Sequence, residues 1–446
     1  MNNFHALPTK AQKEWADCEI GVIIHLDMQV FEPAYHNFAA PGKVPPATAF
    51  NPGRLDTDQW MECARALGAT YAIFVARHGS GFANWPTKTY PYNVASSPWK
   101  DGHGDVVADF IASCGKYGIR PGLYACCGTN EYLGVNNYQW ISTDGKNSDD
   151  RHAYADIVKR QLRELWGNYG PLFEIWFDGG CFPGESVEQE IMDMALELQP
   201  NAVFFQGDPK RVSTVRWIGN ERAEAPYPCY ARTNFTAPSD GICEEIFAEQ
   251  RHGSLDGSFW APGEADMTIR DKHFARDGGW MWTPGEDALV YPPEHLLDCY
   301  FTSVGRNCNL LVGMCIDNRG LVPDADAKAF REAGRLIKKQ FEHPLRGETT
   351  CHVNAWGQTV LEFFPKDNVP VHTVCIMEDL DFGENVKNFI LSGYDGTCWH
   401  SVLWGYGIGH KFLARLPGTF FQAWQLKIFE CLPDSTPRIR DFSLYA

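Results

Sequence analysis

The sequence predicts an α/β fold, a (β/α)8 TIM-like barrel, followed by a C-terminal all-β sandwich, and three observations predict it. Short apolar runs recur at wide spacing through the first three quarters of the chain, each followed by a polar or Gly/Pro-rich stretch and then by apolar residues at helical spacing. Near Phe341 the helical patterns stop, and strand-like runs separated by turn residues take over. The 446 residues suffice for a barrel of about 250 to 350 residues plus a module of about 100. The expected division is residues 1–342 for the barrel and 343–446 for the sandwich.

Five strands are expected in the first half: Gly21–Leu26, Tyr71–Ala76, Pro121–Cys126, Phe173–Phe177 and Ala202–Gln206. Between them Thr57–Leu67, Val106–Tyr117 and Tyr154–Trp166 carry the helical pattern. Strand, helix, strand in series implies a parallel sheet. Thr214–Ile218 and Met267–Arg270 are the best candidates for strands six and seven, and Asn309–Val312 for the eighth, before a helix over Asp324–Lys339. In the last quarter Thr359–Phe364, Val371–Met377, Asn388–Gly393, Trp399–Trp404 and Ala423–Phe429 read as strands.

Composition excludes some partners. With 39 basic and 56 acidic residues the formal charge is −17, which disfavours phosphate backbones and anionic lipid surfaces; neither nucleic acid nor membrane is an expected partner. A small-molecule carbohydrate fits better, because the aromatic residues that build cores also line sugar clefts. Fifteen cysteines without paired CxxC spacing read as mostly reduced, buried thiols. The N-terminal MNNFHALPTKAQKEW shows no basic segment followed by an apolar run, so the protein reads as soluble, cytoplasmic or, with a leader already removed, periplasmic or secreted. Nothing in the sequence sets the oligomeric state.

The chemistry is expected at the carboxyl ends of the barrel strands. The run PLFEIWFDGG, residues 171–180, is an apolar strand that stops at Asp178 before two glycines, which suits a carboxylate at a cleft mouth; an ordinary turn-capping Asp is the competing reading. Around the other strand ends stand His25, Arg77, His78, Tyr124, Trp176, Arg216, Trp217 and Glu221. No HxxxH or HxH pair suggests a metal, no GxSxG a serine nucleophile, and no GxGxxG a dinucleotide; no cofactor or metal is expected. Paired carboxylates remain, as glycoside hydrolysis requires.

Six ordered segments carry a resemblance: FNPGRLDTDQW with GATYAIFVARHGSGFANWP, IWFDGG, VRWIGNE, PGEADMTIR, SVGRNCNLLVG and SGYDGTCWHSVLWGYGIGHKFLARLP. Together they resemble the α-L-fucosidases of glycoside hydrolase family 29, in particular the branch acting on 1,3/1,4-linked fucose. The resemblance implies an exo-acting retaining hydrolase that releases terminal α-L-fucose by double displacement, with Asp178 as nucleophile and Glu221 as general acid/base, Glu264 being the next candidate donor. It further implies that His25, His78, Tyr124, Trp176 and Arg216 contact the sugar hydroxyls or the nucleophile; Arg77, at the end of strand two, is expected among the substrate-binding residues by its position. Trp217, Trp280 and Trp282 are candidates to stack on it, with packing in the core as the plainer reading. Of the two carboxyls, Glu221 is expected to be the more enclosed or the more closely approached by the other's charge.

Two departures bear on specificity. The family's two adjacent histidines followed by Asp-Gly-Phe are replaced by His78-Gly79-Ser80-Gly81-Phe82, and its His-Trp or His-Phe after strand one by His25-Leu26. One imidazole and one carboxylate are lost, so an α-L-galactosidase-like or otherwise shifted sugar specificity is one alternative. A non-catalytic sugar-binding protein on a degenerate barrel is another, and a hydrolase dependent on a metal or on Cys126, Cys127 or Cys181 a third.

Overall fold

The computed structural model describes residues 7–36, 42–141, 147–148, 151–182, 186–234 and 244–446. Eight parallel strands close a barrel: β1 Ile20–His25, β2 Tyr71–Arg77, β3 Arg120–Ala125, β4 Glu174–Trp176, β5 Val203–Phe205, β6 Thr214–Trp217, β7 Gly263–Met267 and β8 Cys308–Cys315. Each neighbours the next in chain order, and β8 pairs with β1 from Ile20↔Leu310 to His25↔Cys315. A short helix, α1 Lys10–Ala16, precedes them. The outer ring comprises α2 Thr57–Leu67, α3 Val106–Tyr117, α4 Arg151–Asn168, α5 Ser186–Leu198, α6 Glu244–His252, α7 Pro293–Thr302 and α8 Asp324–Phe341.

Local chemistry explains the helices. In α2 the Asp56 side chain accepts from the amides of Asp58 and Gln59, Gly68 ends the helix at φ 101°, and Trp60, Met61, Ala64 and Leu67 form the buried stripe. No helix separates β5 from β6, which follow one another after an eight-residue turn and pair through Phe204↔Thr214 and Phe205↔Val215. Beneath that junction α1 closes the amino end of the barrel: Gln12 Nε2 donates to the carbonyls of Thr214 (2.8 Å) and Trp260 (2.9 Å).

The seventh strand lies four residues earlier than expected, at Gly263–Met267 instead of Met267–Arg270. Met-Thr-Ile-Arg has the better strand propensity, whereas Gly-Glu-Ala-Asp-Met has almost none. Burial overrides propensity here, because Ala265 and Met267 pack toward the helices while Glu264 and Asp266 turn into the lumen. This period-two division runs through the barrel. Ile23, Tyr71, Ile73, Val75, Tyr124, Trp176, Val203, Phe205, Val215 and Leu311 form the lumen cluster with Trp15 of α1. Gly21 gives the Tyr71 ring its space, since a Cβ there would meet that ring at 2.3 Å.

Buried Arg270, just beyond β7, donates two hydrogen bonds to buried Asp326 in the first turn of α8, at 2.7 and 2.8 Å. That bidentate pair fastens the last helix to the barrel.

After α8 the chain forms eight antiparallel strands: β9 Gly347–Val353, β10 Thr359–Pro365, β11 Val371–Glu378, β12 Val386–Tyr394, β13 Trp399–Tyr406, β14 Phe412–Thr419, β15 Ala423–Cys431 and β16 Ile439–Tyr445. They make sheets of order β9-β10-β15-β12-β13 and β14-β11-β16, with Val374, Ile376, Phe389, Leu391, Trp424 and Leu426 in the core between them. The strands β9, β14 and β16 had no counterpart in the sequence reading. The sandwich grips the amino end of the barrel. His410 and Arg440 each reach Asp17 at 2.9 Å, Lys411 pairs with Glu19, and Asn307 Nδ2 donates to Glu384 at 2.9 Å. Asp17 and Glu19 precede β1 and Asn307 precedes β8, so this brace sits opposite the strands' carboxyl ends. Among the described residues no helix is long and apolar enough to cross a membrane.

Candidate active site

At the carboxyl ends of the strands a cleft of about 420 Å³ opens, lined among others by His25, His78, Tyr124, Trp176, Asp178, Trp217 and Glu221. Lumen-facing parity brings them together. Glu174, Trp176 and Asp178 climb the inner face of β4 and its end, and Gly179 and Gly180, both at positive φ, turn the chain away.

Asp178 Oδ2 accepts from Tyr124 Oη at 3.0 Å. Solvent reaches this carboxyl through the mouth of the cleft, yet protein encloses its other sides. That enclosure raises its pKa, His78 and the Tyr124 hydroxyl oppose the rise, and the charge of Glu221 adds to it. The His78 ring stacks against Tyr124 with centroids 5.9 Å apart. Burial lowers its pKa, against the pull of Asp27 and Asp178.

Glu221 follows β6 and is about a third exposed, with Oε2 2.6 Å from Lys272 Nζ. Asp178 is the more solvent-exposed of the two carboxyls and Glu221 is partly covered, on a loop at the rim where a lysine reaches it. His25 is buried at the end of β1, 5.1 Å from the Trp280 ring, and its Nδ1 has no hydrogen-bond partner among the described residues. Burial, and then His78, lower its pKa to about 3, so it is neutral at any working pH.

The aromatic walls are held from behind. Trp176 stacks flat on Phe205 at 3.8 Å, and its Nε1 donates to Glu264 at 2.9 Å. Trp217 Nε1 donates to Asp266 at 2.8 Å. Trp280 fits because Gly313 has no side chain; a Cβ there would come within 2.9 Å of the indole.

Four of the nominated residues lie elsewhere. Arg216 falls between lumen-facing Val215 and Trp217, so its guanidinium points outward and donates to the carbonyls of Gln250 (2.9 Å), Tyr230 (2.6 Å) and Ala261. Buried Arg77 donates to the Thr129 (3.1 Å) and Cys126 carbonyls and so ties down the loop after β3. Glu264 lies one layer beneath the cleft, accepting from Tyr71 Oη (2.7 Å) and Trp176 and contacting Glu174. Trp282 packs at the edge of the main core. Cys126, Cys127 and Cys181 are buried; burial pushes Cys126 up to about 11 and raises Cys181 as well, which disfavours a thiolate at either.

Sequence reasoning overlooked Gln29, Gln206, Asp266 and Lys272. Asp266 lines the cleft, and burial holds its pKa well above the ordinary carboxylate value. Gln206 sits at φ 55° directly after β5, and its Oε1 accepts from the Gly179 amide at 2.8 Å, steadying the turn beside Asp178. Parity with Glu264 could have found Asp266; loop residues such as Lys272 leave no comparable signal. Among the described residues one trio has metal-ligand atoms within 4.8 Å of one another, Asp395, Cys398 and His400. It lies on an exposed hairpin of the sandwich, where Asp395 Oδ1 already accepts from the Thr397 (2.7 Å) and Cys398 (2.9 Å) amides.

Comparison with known proteins agrees with this architecture. Over 92% of its length the chain is 28% identical to α-L-fucosidase 1 of Arabidopsis thaliana, covering 81% of that protein. A Bacteroides thetaiotaomicron structure provisionally assigned as an α-L-fucosidase superposes with a TM-score of 0.89 at 28% identity, covering 99% of both chains. A glycoside hydrolase 29 family member from a rumen bacterium gives 0.84 at 25% identity, covering 99% of this chain and 77% of that one. The family model described as alpha-L-fucosidase matches residues 6–342, and with a barrel, a sandwich and a carboxylate-lined cleft in place, the chain belongs to the α-L-fucosidase family.

Proposed function

We propose that this protein is an exo-acting retaining α-L-fucosidase in which Asp178 is the nucleophile and Glu221 the general acid/base. The observation that carries the reading is one cleft with two unlike carboxyls at the ends of β4 and β6. Asp178 is walled by Tyr124 and His78, whereas Glu221 stands at the rim beside Lys272. A double displacement needs such a division of labour. One carboxylate attacks the anomeric carbon from within, while the other protonates the departing oxygen on the solvent side and then activates water.

Tyr124 and His78 favour the ionised form of Asp178 against its enclosure, so the nucleophile is available without being stripped of support. The sugar ring would lie between the indole walls Trp217 and Trp280, with neutral His25 facing its hydroxyls. The packed lumen gives the cleft a floor, which suits a terminal residue. The substrate is then a small carbohydrate or the end of a glycan.

Turnover of an aryl α-L-fucoside, with NMR of the first-formed anomer, tests the reading. Retained configuration, lost in Asp178→Gly and partly restored by azide, supports it; inverted product or full activity in that variant would sink it. An aryl α-L-galactoside measured in parallel tests the shifted specificity suggested by Gly79 and Ser80.

A further inference from the structure

A buried carboxylate stands beside His78, the histidine at the end of β2. It comes from Asp27, two residues after β1, which is buried next to the cleft. Ser80 Oγ accepts from the Phe82 amide at 3.0 Å, so its single hydrogen goes to Asp27 Oδ1. The same Oδ1 accepts from the Met28 amide at 2.8 Å. With one oxygen occupied in this way, the carboxyl turns Oδ2 toward His78 Nδ1, 3.8 Å away.

We propose that Asp27, aimed by Ser80, is a positioning residue that keeps a proton on His78 Nδ1 and so presents Nε2 to the sugar and to the Asp178 side of the cleft. The inference rests on the glycosidase reading of this site and extends it to a residue outside the motifs. At 3.8 Å the Asp27 carboxylate acts on the ring by its charge, which favours a proton on the nitrogen that faces it. The other ring nitrogen is then left to meet a substrate hydroxyl, and the stacked Tyr124 ring limits the ring's freedom. The charged and titratable groups around His78 are Asp27 after β1, His25 on β1, Arg77 on β2, Tyr124 on β3 and Asp178 after β4. Of these Asp27 and Asp178 favour its protonation and Arg77 opposes it.

Asp27→Asn separates charge from scaffold, because the amide oxygen still accepts from Ser80 and from the Met28 amide. In the full chain we expect kcat/KM on aryl α-L-fucoside to fall about tenfold or more, with most of the loss in kcat. In ¹⁵N-histidine spectra, with His78 assigned through His78→Gln, its titration should move to lower pH and its tautomer ratio should change. The swap Asp27→Ser with Ser80→Asp returns a carboxylate to the same hydrogen bond from the other side and should restore both readouts. An unchanged His78 titration in Asp27→Asn would overturn the inference, as would a loss of activity that the swap leaves unrepaired. If the wild-type protein turned over no glycoside, the fucosidase reading would fail, while the histidine spectra would still decide the role of Asp27.

Discussion

Two tiers of carboxyls share the same barrel strands and have opposite fates. Glu174 and Asp178 rise on the inner side of β4 and its end, and Glu264 and Asp266 on β7. The lower tier is sealed. Trp15 Nε1 donates to Glu174 at 2.8 Å, Tyr71 and Trp176 donate to Glu264, and the two glutamates contact each other with both pKa values raised, chiefly by burial. The upper tier meets a cleft, where Glu221 joins it from the loop after β6, and each carboxyl there has a different neighbour: Tyr124 for Asp178, Lys272 for Glu221, Trp217 for Asp266. Depth along the lumen, more than residue type, separates a carboxyl that supports the walls from one able to react.

Removing one carboxyl from each tier tests that division most strongly. Asp178→Asn should lower kcat by about ten-thousandfold or more, since the nucleophile has no substitute. Glu264→Gln should stay within about tenfold, because its amide still accepts one of the two hydrogen bonds. Equal losses in steady-state kinetics would erase the distinction between the tiers.

Within the upper tier, Glu221→Gln should cost about a hundredfold or more on a natural disaccharide, where the leaving oxygen needs a proton. The cost should be far smaller on an aryl glycoside with an acidic phenol. A loss independent of the leaving group would assign proton donation to another residue, Asp266 first.

Tyr124→Phe should act through pH. The Tyr124 hydrogen bond lowers the Asp178 pKa against the rise caused by enclosure, so its removal lets that pKa climb. The acidic limb of kcat/KM should therefore move to higher pH, leaving the rate above that limb within about tenfold of wild type. A limb that stays in place would mean that Asp178 is not the group it reports.

The same comparison shows what the sequence made legible. The aromatic run ending in Asp178 is a strand whose inner-facing residues are spaced by two, so Trp176 and Asp178 were readable together, as was His25 closing β1. Parity was also the information most underused. Arg216, between Val215 and Trp217, must face away from the lumen, and Glu264, two residues before Asp266, must lie deeper. Both looked reactive because charge near a strand end draws notice and depth leaves no mark in one dimension. The shift of β7 has the same origin, since Gly-Glu-Ala-Asp-Met is held as a strand by neighbours distant in sequence. Asp27 and Lys272 lie in loops, and their partners Ser80 and Glu221 are 53 and 51 residues away in the chain. Local pattern has no means of pairing them.

The smallest expected effect concerns the lower tier alone. Both glutamates ionise near 4.5 in an unfolded chain, whereas in the fold Glu264 is raised to about 7 and Glu174 is also raised. Between these limits the folded protein holds protons that the unfolded chain has released. The contribution of the floor to stability is thus complete below pH 4.5 and declines as pH rises toward and through 7. Glu174→Gln keeps an acceptor for Trp15 and a donor toward Glu264 but removes one of the two groups that must stay protonated. Its stability relative to wild type should therefore improve by about 1 kcal/mol between pH 5 and pH 8. Urea melts at the two pH values would show the gap widening with pH. A gap that is constant, or that narrows, would mean that Glu174 is not a proton-holding partner of Glu264, and the floor would then differ from the cleft in access alone and not in charge.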